Sequence, residues 1–168
     1  MALILGGLVA SLVMGMWEMA VEAFAGQGLF APAVFIAATV LRNLQHVHGG
    51  PGLGPTDPLG IIIGLMGHMV NSVVLGAAFA YVAPRFWRGA TALAIAATIY
   101  GALIFFAMWL VVVPLIDPVM LQLNSVSFFL AHLMWGDALG LVTAWVPRRT
   151  RRSASAKPTA AVRTLAHA

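Results

Sequence analysis

Residues 59–82 read LGIIIGLMGHMVNSVVLGAAFAYV, without one charged side chain, and residues 83–89 close the stretch with APRFWRG. A hydrocarbon core of about 30 Å is crossed by roughly 20 apolar residues in helical form. The stretch is therefore long enough to span. Its end is explicit, since Pro84 breaks the helix, Trp87 suits the membrane interface and Arg85 and Arg88 suit headgroups.

The same reading extends in both directions. Residues 2–25 form a first span, residues 90–113 a third, and the connection PLIDP (114–118) turns the chain into a fourth at 120–146. Residues 1–147 thus form one transmembrane domain. The chain is 61% hydrophobic and 8% charged, against about a quarter charged in an ordinary soluble domain. The expected class is an all-α integral membrane protein, a bundle of four transmembrane helices.

Between the first two spans lies LFAPAVFIAATVLRN (29–43). Its apolar part is too short to cross, so it is expected as an interfacial or re-entrant helix at about 29–42. LQHVHGGPGLGPTDP (44–58) follows, rich in the residues that break helices, and reads as a loop outside the hydrocarbon. The N-terminus lacks a basic segment and carries Glu18 and Glu22 where a cleavage site would be sought, so it reads as a retained first helix.

Charge placement predicts orientation. Six of nine basic residues follow Pro147, and Arg85 and Arg88 share that side of a four-span chain, leaving Arg42 alone on the other. The positive-inside rule then puts both termini in the cytoplasm, in a prokaryotic inner membrane, with residues 148–168 as a disordered basic tail touching anionic lipid. That tail has no interleaved aromatics and adjoins no nucleic-acid reader, so nucleic acid is not an expected partner. There is no Cys, which removes disulfides, thiolate metal sites and cysteine nucleophiles together. No phosphate-cradling glycine loop or nucleophile triad is present, and an enzyme is the less expected class.

The second span has an echo. HMVNSVVLGAAFAYVAPR (68–85) aligns with HLMWGDALGLVTAWVPR (132–148), pairing His68 with His132, Leu75 with Leu139, Gly76 with Gly140, Ala80 with Ala144 and Tyr81 with Trp145. The preceding spans share only Met16-Trp17 and Met108-Trp109. Two copies of a two-span unit would have parallel topology, related by a pseudo-twofold axis along the membrane normal. Small residues recur every fourth position at Gly60, Gly64, Ser72 and Gly76, at Gly136 and Gly140, and at Gly7, Ser11 and Gly15. Such ridges let helix backbones approach closely, because packing rather than hydrophobicity drives association in lipid. With its terminal AHLMWGDALG (131–140), the chain resembles families of uncharacterised small prokaryotic four-helix membrane proteins, a resemblance that implies a fold and no activity.

Several residues are candidates for chemistry. His68 and His132 sit near mid-span at similar depth and, if the axis brings their helices together, would suit axial ligation of haem b; the plainer expectation is hydrogen bonding across helix interfaces. Glu18, Asn71 and Asp137 would line a proton or substrate path, since carboxylates in hydrocarbon call for partners or water. Glu22 is expected at the outer interface, solvated. His46 and His48 have metal-ligand spacing but lie in a loop, and the nine Met residues read as bundle packing before copper binding. Three functions follow as expectations: a non-enzymatic subunit packing with other membrane subunits or copies of itself, a haem b electron-transfer subunit, and a small transporter or proton-conducting bundle.

Overall fold

In the computed structural model, which describes residues 2–146, α1 (Ala2–Phe24), α3 (Pro58–Val82), α4 (Ala90–Ala107) and α6 (Ser125–Trp145) are the long elements. With their short extensions they are the four helices long and apolar enough to cross a membrane. The chain is an all-α, multi-pass membrane bundle, and among the described residues it has no strand. The basic tail expected at 148–168 lies outside them.

The helices are arranged in the order α3, α1, α6, α4. Glycines set the α1–α3 and α4–α6 interfaces. A Cβ on Gly7 would lie 2.6 Å from the Ser72 carbonyl oxygen and the Val73 Cα, and one on Gly76 would lie 2.8 Å from the Gly7 Cα, so α1 and α3 touch backbone to backbone. On the other side a Cβ on Gly140 would lie 2.6 Å from the Ala94 Cα, and one on Gly136 would lie 2.8 Å from the Thr98 Cα. Gly101, absent from the expected ridges, abuts the His132 carbonyl. Gly15 faces the His68 ring. The two helical pairs therefore pack alike, with Gly15 beside His68 and Gly101 beside His132. This register does not set Met16-Trp17 level with Met108-Trp109.

Two boundaries differ from the sequence expectation. The third span runs on to Ile116, through a π-helical turn at Met108–Val112 and a short α5 at Val113–Ile116. Pro114 lacks an N–H and its ring crowds the preceding turn, and a π turn there is a known accommodation. The fourth span starts at Ser125 rather than at 120, because Asn124 caps it, its side chain accepting from the Val126 and Ser127 amides at 3.0 Å each. Residues Pro118–Gln122 form a 3-10 turn.

The short helix after the first span is also resolved in character. α2 (Ala31–Ala37) is almost wholly buried and packs on α3, its Ala33 carbonyl against Gly64, two turns inside that helix. It enters the bundle instead of lying on its surface. Above it the Gly/Pro loop folds back, with the Gly50 amide donating to Gln27 and the Leu29 and Phe30 amides donating to Gly52 and Leu53. Positive φ at Gly28 and Gly54, 104° and 68°, lets the turn between α1 and α2 touch this loop where a Cβ would collide.

Candidate functional site

Near the loop end α3 and α4 part. They meet lower down, where Phe79 stacks on Tyr100 at 5.5 Å and the Tyr100 hydroxyl donates to the Leu75 carbonyl at 3.4 Å. Between them, roofed by α2 and backed by α1 and α6, is a cavity of about 390 Å³. Its walls are mostly aliphatic and methionine side chains, among them Met14, Met19, Met108 and Met120. Its polar groups are Glu18, His68, Asn71, Ser72, His132, Trp135, Thr39 and Asp117. Lining residues on both edges of the gap, Leu65, Gly67 and Asn71 on α3 and Ile116 beyond α4, are exposed on the outside of the bundle. The cavity therefore opens sideways, toward the surface that lipid would cover.

Each polar group is held by a neighbouring element. His68 bonds through Nε2 to the Ser11 carbonyl of α1 at 3.1 Å, a bond across a helix interface. His132 bonds through Nδ1 to Phe128 of its own helix at 2.8 Å, and its ring lies edge-on to Phe105 and Phe128. The indole of Trp135 donates to Ser72 at 2.7 Å, joining α6 to α3 across the cavity floor. Glu18 Oε1 accepts from the Ser127 hydroxyl at 2.9 Å, and that hydroxyl accepts from the Trp17 indole at 3.0 Å. Glu18 Oε2 has no hydrogen-bond partner, although the residue is only 4% exposed.

Of the expected site residues, Glu18, Asn71, His68 and His132 share this cavity. Asp137 does not. It sits on the exposed face of α6, between the buried Gly136 and Leu139, and so a relay from Glu18 through a histidine to Asp137 is not assembled. The physical reason is angular: Trp135 and Gly136 occupy the inward face, and Asp137 is turned on from both. Glu22 corrects a second expectation. It is fully buried, its Oε1 accepting from the Asn124 amide at 2.8 Å, and its carbonyl accepts from the Gln27 and Gly28 amides. Rather than being solvated, it ties the end of α1 to the start of α6.

The haem reading needs a free imidazole nitrogen from each histidine, aimed across one slot. In the described arrangement His68 Nε2 donates to Ser11 and His132 Nδ1 to Phe128, which leaves His68 Nδ1 and His132 Nε2. Among the described residues no three His, Cys, Asp or Glu side chains are placed to hold a metal ion, and His46 and His48 are exposed in the loop.

Sequence reasoning missed a latch at the roof. Asp117 is buried, accepting from Thr39 at 2.7 Å and from Gln45 at 2.5 Å, while Arg42 donates to the Ile116 carbonyl at 2.6 Å. These bonds fasten the segment after α2 to the corner between α5 and α6. Burial pushes the Asp117 carboxyl above the ordinary carboxylate range, against the lowering pull of the Thr39 and Gln45 hydrogen bonds and the Arg42 charge. The latched state thus keeps a proton that the open state has released, so rising pH favours opening between the ordinary pKa and the raised one. Hydrogen exchange of residues 39–46, corrected for intrinsic rates, is expected to quicken as pH rises through that window, and Asp117→Asn to flatten the response.

No protein-family model matches the chain, and neither a curated protein nor a solved structure does.

Proposed function

We propose that this bundle is a small membrane carrier or binding protein whose ligand enters from the bilayer between α3 and α4. One observation carries the reading: a cavity of about 390 Å³ with mostly apolar walls and a few convergent polar groups, open on the lipid-facing side. Ligand sites are typically of this kind, roughly 300–1,000 Å³ with hydrophobic walls and a few placed polar groups. The methionines add to it, being flexible and polarizable enough to fit ligands of differing shape. The π turn at Met108–Val112 borders the opening, and π turns recur at functional places in helices.

The test uses Trp135, which is 2% exposed and lines the cavity. A variant keeping it as the sole tryptophan is placed in bilayers whose acyl chains carry bromine. Gly67 supplies the control, because a Cβ there meets only Ile36 at 3.9 Å and Gly67→Phe would plug the mouth. Quenching that Gly67→Phe reduces at least twofold is expected; quenching indifferent to the plug would sink the proposal.

A second reading rests on a separate observation. Asp137 is exposed near the middle of a spanning helix, where an aspartate facing lipid costs about 2.5–3.5 kcal/mol on insertion scales. A neighbouring subunit or a second copy covering that face would relieve this cost, which supports an assembly role. Such a partner predicts that Asp137→Asn lowers the mass of the particle extracted in mild detergent. For orientation, the basic residues support an inner-membrane protein with both termini cytoplasmic and the Gly/Pro loop outside.

A further inference from the structure

Among its lining groups the cavity has a buried carboxylate oxygen that the fold leaves without a partner. Glu18 Oε1 is engaged by Ser127, while Oε2 has no partner in a residue that is only 4% exposed and lines the cavity. Among the described residues no lysine or arginine lines the cavity beside it. Among the described residues the arginines are Arg42, bonded to Ile116 at the roof, and Arg85 and Arg88 at the opposite end. Neither imidazole hydrogen-bonds it, since His68 is turned to Ser11 and His132 to Phe128. An unneutralised carboxylate is costly in a low-dielectric interior, so a proton or a positive charge from elsewhere has to balance it.

Two aromatic groups share the cavity with it. The Trp135 indole and the Phe128 ring both line the walls, and aromatic faces attract cations, more strongly where water is excluded. A carboxylate that shares a mostly apolar pocket with aromatic rings, opening toward lipid, is complementary to a positive charge carried on an apolar body. It opposes an anion, which would meet Glu18 with no lysine or arginine in the cavity lining to offset it.

We propose that the cavity binds organic cations, with Glu18 as the counter-charge and Trp135 and Phe128 as the rings that frame it. This rests on the reading of the cavity as a ligand site and adds the ligand's class. Binding exchanges the balancing proton for the ligand's charge, so a protonated Glu18 releases one proton for each cation taken up.

Tetraphenylphosphonium and tetraphenylborate, alike in shape and opposite in charge, make the test. Their binding is measured on the whole protein in lipid nanodiscs, with empty discs as blank. Saturable phosphonium binding at least tenfold tighter than borate binding is expected, with the preference lost in Glu18→Gln, whose amide oxygen still accepts from Ser127, and retained in Glu18→Asp. Equal binding of the two ions, or a preference unchanged in Glu18→Gln, overturns the assignment of a cation while leaving a ligand cavity. Binding of neither ion also overturns it, and the bromolipid quenching of Trp135, which does not depend on charge, then decides whether the cavity reading falls as well. Should Glu18→Gln fail to fold, the phosphonium-to-borate ratio of the unaltered protein and of Glu18→Asp still decides.

Discussion

Gly136→Val is expected to abolish the folded bundle, reducing the yield of monodisperse protein in mild detergent by at least tenfold. A Cβ at this position would lie 2.8 Å from both the Ala97 carbonyl carbon and the Thr98 Cα, so the obstacle is backbone and no rotamer change relieves it. Overpacking a well-filled interface typically costs about 1–3 kcal/mol, and more when the backbone has to move. Here α4 would have to leave α6. In lipid that loss is not offset by a hydrophobic gain, because the acyl chains are as apolar as the helix faces they replace. Gly67→Ala is the matched control. It adds a methyl group in near-open space and removes the helix penalty of glycine, roughly 0.5–1 kcal/mol, so thermal stability is expected to hold or rise slightly.

Gly64→Val carries the second large effect, at a different place. The Ala33 carbonyl occupies the space a side chain would need, and α2 has no other strong footing than α3. Dislodging α2 takes the roof off the cavity and breaks the reach of Thr39 and Gln45 to Asp117. The four long helices have their own interfaces, through Gly7, Gly76, Gly136 and Gly140, and are expected to remain assembled. The predicted signature is therefore local: hydrogen exchange across residues 31–46 rises by at least tenfold while the amides of α4 and α6 stay protected. Global loss of protection would mean that α2 is a keystone of the fold.

What could be read in advance follows from how lipid acts as a solvent. Span existence and number were legible because composition alone decides them; 59–82 lies almost on α3, and 2–25 on α1. The small-residue ridges were legible too, since only packing explains glycine recurring at Gly7, Gly64, Gly76, Gly136 and Gly140. Gly101 was overlooked, although Ala97 one turn earlier gives it the same small-residue spacing. Which way a polar residue faces was not legible. A soluble helix shows its inner side by hydrophobic periodicity, whereas here inner and outer faces are equally apolar. Asp137 hence turns away from the path its depth in the span suggests, and Glu22, near a helix end, is buried where hydropathy suggests solvent. Helix termini failed for another reason: Pro114 and Asn124 act through backbone geometry, a π turn in one case and a side-chain cap in the other, and hydropathy registers neither. The Asp117 latch joins residues more than seventy positions apart, a separation no local pattern encodes.

On the proposed reading, the carboxyl group of Glu18 lies in a cavity reached from the bilayer. Reaction of the membrane-embedded protein with a bilayer-soluble carbodiimide, mapped by peptide mass spectrometry, tests it most directly, because three acidic side chains in the spans are placed differently. Glu18 lines the cavity, Glu22 is sealed outside it and Asp137 stands on the exposed face of α6. Expected are modification of Glu18 that Gly67→Phe suppresses, modification of Asp137 that Gly67→Phe leaves unchanged, and none at Glu22. Modification of Asp137 alone, or of Glu18 at a rate the plug does not alter, would contradict that reading.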